Sequence, residues 1–170
     1  GYGRVNPIGD GANLLASFEA MLGFISFAVV TGLIYGRFAK PTSYLMFSDH
    51  AVVAPYRGGL GLMFRFASYK DNHTLTDLDI RVNAAFRVQE NGQEVYKFYD
   101  LTLERNKVDS LPMNWTVVHP IDETSPLKGF SAEDMKAADM EVYVLVRGFD
   151  DVFSNYVLRR TSYTHEEIRF

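Results

Sequence analysis

ANLLASFEAMLGFISFAVVTGLIY, residues Ala12 to Tyr35, decides the fold. One residue in this run carries a charge, Glu19. At 1.5 Å per residue, about 24 helical residues reach roughly 36 Å, enough to cross a hydrocarbon core of about 30 Å with some tilt. A buried core helix is usually shorter and shows a polar stripe. The run is therefore read as a transmembrane helix, within a unit of residues 12–40. Gly23, Gly32 and Gly36 would be costly in a helix in water but suit close packing or bending in a membrane, and Gly23 is the expected hinge. The run lacks the basic leader and small-residue cleavage site of a signal peptide.

Working outward, Arg37 and Lys40 come directly after the run and Pro41 stops the helix. Cations at this end place the residues beyond Pro41 in the cytoplasm by the positive-inside rule. Before the run, residues Arg4 to Gly11 are rich in Pro, Gly, Asn and Asp, which is loop chemistry, and Asp10 or Asn13 is the expected helix cap. The sequence opens without Met on Gly1-Tyr2-Gly3, inside what reads as a motif, so it is taken as a piece of a longer chain.

After Pro41 the pattern changes to short alternating runs, expected as strands at Leu45–Phe47, His50–Ala54, Gly61–Phe66, Asp79–Gln89, Val95–Leu103, Thr116–His119, Glu141–Val146 and Ser154–Tyr163. Turn chemistry separates them, as in Tyr56-Arg57-Gly58-Gly59 and Glu90-Asn91-Gly92-Gln93. Ser131 with Asp134 three residues on predicts a capped short helix. Many short strands at this spacing predict an all-β sandwich of immunoglobulin type over residues 41–170.

Composition excludes several classes. With no Cys there is no disulfide framework and no thiolate metal site. A net charge of -4 argues against nucleic acid as a partner. No nucleophile–base pair, metal-ligand cluster or phosphate loop stands out, so no catalytic residue is expected. His50, His73, His119 and His165 are scattered and read as structural, with His73 or His165 also able to respond to pH.

Within the helix, Phe27, Thr31 and Tyr35 recur at i, i+4 and i+8 and share a face. Around a pore that face would look inward. Tyr35, near the cytoplasmic end, then has two open readings: an aromatic ring that shuts a pore by dewetting, or an interfacial anchor. Glu19, an ionisable group at membrane depth, is a functional candidate by default and is read as a support for polar groups near the start of the helix.

Taken in order, the residues resemble the inward-rectifier potassium channels, in particular their prokaryotic members. Gly1-Tyr2-Gly3 looks like the selectivity filter, whose backbone carbonyls replace the hydration shell of K⁺. Arg37-Phe38-Ala39-Lys40-Pro41 looks like the membrane exit. Phe47-Ser48-Asp49-His50-Ala51-Val52-Val53 is similar to the first cytoplasmic strand, and Leu62-Met63-Phe64-Arg65 to a later one. His119-Pro120-Ile121-Asp122-Glu123-Thr124-Ser125-Pro126-Leu127, Arg160-Thr161-Ser162-Tyr163 and Glu167-Ile168 also match.

The resemblance implies a homotetrameric, multi-pass channel of the plasma or inner membrane. Its pore would be built from inner helices such as this one, above a cytoplasmic immunoglobulin-like β-sandwich. Residues 1–11 would be the end of the filter and an extracellular loop. K⁺ would be bound through the carbonyls of Gly1 and Tyr2 and transported, with no organic cofactor. Tyr35 falls at the family's helix-bundle gate. Phe27 falls where strong rectifiers carry an acid, and Arg147 where many members carry Glu, two departures that weaken block by cations. Asp77, with Asp79 as the alternative, matches an acidic position of the cytoplasmic pore. Gly148-Phe149-Asp150-Asp151-Val152-Phe153-Ser154 resembles the loop at its apex; the plainer reading of that stretch is an acidic surface turn. Arg37 and Lys40 match positions that meet membrane lipids with anionic, phosphoinositide-like head groups. The rival reading is a membrane-anchored β-sandwich that binds a partner and has no pore, which leaves Gly1-Tyr2-Gly3 as an accident.

Overall fold

The computed structural model describes residues 3–4, 6–70, 72–90, 92–111 and 113–170. The chain divides into two units, Gly1–Lys40 and Pro41–Phe170.

The first unit holds helix α1, Asp10–Phe38. Its N-cap is Gly9 at φ 91°, with no side-chain cap bond, so neither Asp10 nor Asn13 serves as the cap expected from the sequence. Asp10 lies inside the first turn, where its charge complements the helix dipole, and the Asn13 N–H bonds the Gly9 carbonyl at 3.0 Å. The helix ends as the Ala39 N–H bonds the Tyr35 carbonyl at 2.8 Å, just before Lys40 and Pro41. No residue of α1 is buried. Phe27 is 71% exposed and Tyr35 73%. A helix apolar on every side must be covered by lipid or by other helices. Its length and composition suffice to cross a membrane.

The second unit is a β-sandwich. One sheet contains β1 (Leu45–Phe47), β2 (Ala51–Tyr56), β3 (Gly59–Ser68), β7 (Asn114–Ile121) and β10 (Ile168–Arg169). Its central strand β3 pairs with β7 along one edge and with β2 and then β1 along the other, while β10 lies parallel to β2. The second sheet contains β4 (Leu75–Glu90), β5 (Gln93–Asp100), β6 (Lys107–Ser110), β8 (Glu141–Asp150) and β9 (Asn155–Thr164) in the order β5-β4-β8-β9, with β6 beside the first part of β4. Strands β6 and β10 are additions to the set expected from the sequence, and most of the others run further than the sequence suggests.

Alternation explains the layers. Leu62, Phe64 and Phe66 of β3 face inward from one sheet, and Ile80, Val82, Ala84, Val142, Val144 and Val146 from the other, all in one buried cluster. Each large apolar side chain so buried contributes about 1.5–3 kcal/mol. The sheets are also tied by Tyr163 of β9, whose ring packs 5.5 Å from Phe64 and whose hydroxyl donates to the Ser48 carbonyl at 3.0 Å. The β2–β3 hairpin turns through Arg57 and Gly58, both at positive φ, as a tight two-residue turn requires. Helix α2, Ala132–Ala137, carries the expected capping box between Ser131 and Asp134.

Candidate functional site

Strands β4, β8 and β9 build the site at one end of the second sheet. The alternation of β4 slips between Thr76 and Asp79, where the β4–β8 register shifts. Asp77 absorbs the slip at φ 47°, so that Leu75 and Leu78, three residues apart, both point into the core. Asp tolerates this left-handed conformation better than most residues. The bulge leaves the Asp77 side chain exposed, and it accepts a hydrogen bond from the Tyr156 hydroxyl at 2.6 Å. That bond holds the Tyr156 phenol above its usual range. The Arg147 guanidinium lies 4.0 Å from the centre of the Tyr156 ring, and Phe149 meets the same ring edge-on at 5.5 Å. Asp79 lies opposite Arg147 on one side and Lys107 on the other.

Gly148 packs behind this cluster. A Cβ there would stand 3.3 Å from Leu78 Cγ, a tight contact, and 3.7 Å from the Thr76 carbonyl, an ordinary one. Gly148, Phe149 and Asp150 belong to β8, and the loop expected from residue 148 is confined to Asp151–Ser154. Asp150 is not part of a surface turn: it is 1% exposed. Its Oδ1 accepts the N–H groups of Val152 and Phe153, each at 3.0 Å, and its Oδ2 meets His73 Nδ1 at 2.8 Å. Tyr44 and Phe153 flank the His73 ring at 4.5 and 5.2 Å.

His119 is a second buried histidine, 3% exposed. Its Nδ1 meets the Thr102 carbonyl at 2.7 Å and its Nε2 the Ser125 hydroxyl at 2.8 Å. Burial pushes its pKa below the usual histidine range, against the opposing pull of the Thr102 carbonyl. Ser125 also receives the Leu127 N–H at 3.2 Å. The pair resembles a hydrolase dyad in composition only, since both partners are buried and satisfied.

The residues singled out in the sequence fall into separate groups. Gly1 and Tyr2 lie outside the described residues; Gly3 is in a turn at φ 62°. Glu19, Gly23, Phe27, Thr31, Tyr35 and Arg37 lie on α1, with Lys40 just beyond it. Asp77, Arg147, Gly148 and Phe149 are brought together by the β4–β8 pairing. Tyr156, which joins Asp77 to Arg147, is the residue that sequence reasoning misses. The four-residue turn Asp151–Ser154 sets Phe149 opposite Tyr156, and counting back from that turn would find it. Among the described residues no group of three or more His, Asp or Glu gathers to hold a metal ion.

A helix long and apolar enough to cross a membrane precedes, in chain order, a two-sheet sandwich. The family model for the inward rectifier potassium channel C-terminal domain matches residues 45–170. The chain belongs to the inward rectifier potassium channel family. It is 35% identical over 169 residues to inward rectifier potassium channel Kirbac3.1 of Paramagnetospirillum magnetotacticum, covering 99% of this chain and 57% of that relative. It is 30% identical over 161 residues to ATP-sensitive inward rectifier potassium channel 12 of Mus musculus, covering 88% of this chain and 37% of the relative. The chain thus spans little more than half the length of the first of these and less of the second. The sporulation control protein Spo0M of Bacillus subtilis aligns over 74% of this chain and 48% of its own at 10% identity, with a TM-score of 0.32, too low to bear on the fold. The family is one of ion channels, and membership implies a membrane location with a cytoplasmic domain.

Proposed function

We propose that the chain is the inner-helix and cytoplasmic part of a K⁺-selective channel subunit, four copies of which enclose a passive conduction path. The observation that carries this reading is that the similarity to the bacterial channel covers 99% of the chain, the helix as well as the sandwich. Residues 1–11 form the end of the filter and an outer loop, 12–40 the inner helix, and 41–170 the regulatory sandwich. Carbonyls of Gly1 and Tyr2 strip and hold K⁺, which is the transported ion. Gly3, already at φ 62°, gives the chain a turn that a side chain would resist.

Tyr35 closes the path at the helix bundle, and Thr31 and Phe27 line the cavity above it. Phe27 offers no carboxylate to a blocking cation. Glu19 supports the filter, and Gly23 is the point at which the helix bends. Arg37 and Lys40 meet anionic head groups at the cytoplasmic surface, each contributing about 1 kcal/mol. Asp77, Arg147, Gly148 and Phe149 form the second constriction, in the sandwich. The test is full-length protein in liposomes: Ba²⁺-sensitive flux of K⁺ in preference to Na⁺ supports the reading, and a non-conducting monomer or dimer defeats it.

A further inference from the structure

We propose that the outer face of the second sheet carries a site for a small organic cation of quaternary ammonium type, in a cavity walled by Tyr96, Phe98 and Tyr143 and charged by Asp139 and Glu141. The proposal stands on the sandwich alone and is independent of the channel reading above.

Alternation along β4 makes the floor. Ala84 and Phe86 join the core between the sheets, whereas Ala85 lies outside that core cluster and faces outward. It is buried nonetheless, at 3% exposure. Its neighbours in the register are Phe98 of β5 and Glu141 of β8, so a single methyl group separates two larger side chains. Tyr96 shares the outward face of β5 with Phe98, and Tyr143 shares that of β8 with Glu141. The result is a cavity of about 360 Å³. The Phe98 and Tyr143 rings stand 6.2 Å apart with their planes tilted by 34°, and Phe98 is 69% exposed. Contiguous aromatic surface left open to solvent marks a place where something binds.

The chemistry of the walls selects the ligand. The Tyr143 hydroxyl donates to Glu141 at 2.6 Å, and the Tyr96 hydroxyl donates to Asp139. Both bonds hold their phenols above the usual range, so the rings stay neutral. Asp139 and Glu141 bring negative charge to the cavity, and among the described residues no Lys or Arg lines it. The surrounding charges do not reverse this sign. Arg87, opposite Tyr96 in the register, is paired with Glu94 at 3.3 Å, and Arg81 with Asp79 at 3.5 Å. Arg160 lies across from Leu145, one row past Tyr143, and Asp100, bonded to Asn83, offsets it in sign. Lys136 of α2 and Glu166 in the turn after β9 add one charge of each sign. Ring faces attract a cation through their quadrupole, and its methyl groups cover the exposed apolar surface. A small hydrated metal ion would find ring faces in place of an oxygen cage. A neutral apolar ligand would cover two carboxylates without compensating their charge.

The experiment uses full-length protein in detergent at about pH 8, where the imidazole of His165 on the rim does not compete as a cation. Saturation-transfer NMR follows choline as the probe, beside its neutral isostere in which carbon replaces the ammonium nitrogen. The choline methyls should receive saturation from the protein, with the isostere binding at least about fivefold more weakly. Phe98→Ala and Tyr143→Ala should each weaken choline binding at least about fivefold, and Glu141→Gln about two- to fivefold. Unfolding midpoints confirm that the variants fold, and Glu141→Gln, which keeps the shape of the side chain, decides if the ring variants do not. Transfer equal to wild type in both ring variants, or in Glu141→Gln, would mean that choline binds elsewhere and overturns the proposal. Equal binding of the isostere would make the cavity a site for uncharged ligands, and absence of transfer in the wild type would mark a face covered by another chain; both overturn it.

Discussion

Asp150 and His73 meet at 2.8 Å across a sequence gap of 77 residues, with Asp150 buried to 1% exposure. The pair fastens the β3–β4 loop to the β8–β9 turn. A second clasp lies beside it, the Thr74 N–H on the Asp151 carboxylate at 3.0 Å. Asp150→Ala would strip the Val152 and Phe153 N–H groups of their acceptor and His73 of its partner. Bonds to a charged acceptor contribute about 1.5–3 kcal/mol, so the variant should lose about 2–3 kcal/mol of stability. Thermal unfolding of the purified protein measures the loss, and hydrogen exchange should localise it to residues 150–154. Unchanged protection there would contradict the clasp.

Gly148 is needed for space. Alanine would bring a Cβ to 3.3 Å from Leu78 Cγ with the Thr76 carbonyl close behind. Where the Leu78 side chain cannot shift, overpacking of this kind costs about 1–3 kcal/mol. Gly148→Ala should lower the unfolding midpoint by several degrees. A midpoint equal to wild type would show that the bulge yields.

His119 gives the fold a pH dependence with a definite sign. Its folded pKa lies below the ordinary value of about 6.5, because burial disfavours the imidazolium. The unfolded chain therefore takes up the proton first as pH falls. Stability from this group is fully present above about pH 6.5 and declines below it, until the folded pKa is passed. Unfolding midpoints measured between pH 7.5 and 5 should fall on acidification, and His119→Gln should flatten that slope. An unaltered slope in the variant would place the titration elsewhere. Asp122, Asp134 and Glu167, whose carboxyls hydrogen bonds hold below the usual range, add their own loss only at lower pH.

Tyr35 lies in the last turns of α1, 73% exposed. If Tyr35 is the gate proposed above, its ring excludes water from the closed path. Tyr35→Ala should raise the open probability in single-channel records. If it served only as an interfacial anchor, the open probability would stay at the wild-type level.

The sequence carries some levels of the structure better than others. The apolar run of α1 and the alternation in β3, β4 and β8 are legible, because burial on one face imposes period two and a membrane imposes length. Strand β10 is not, since two residues carry no period and Ile168–Arg169 exists only through its pairing with β2. Strand β6, Lys-Val-Asp-Ser, is too polar and short to signal itself. The bulge at Asp77 is hidden when the strand is expected to begin at Asp79, although Leu75 and Leu78 at odd spacing are its trace. Asp150 reads as a surface acid because acids usually are; its partner in the fold is His73, which chain order does not bring near. Of the cluster on β4, β8 and β9, Asp77, Arg147, Gly148 and Phe149 come from resemblance, whereas Tyr156 needs the register.

Selective K⁺ conduction is the central claim, and a reversal potential tests it most directly. Full-length protein in a planar bilayer, with K⁺ on one side and Na⁺ on the other, should reverse far from zero, toward the potential at which K⁺ is at equilibrium, and the current should vanish with Ba²⁺. A reversal near zero, or no current from protein shown to be tetrameric, would contradict it.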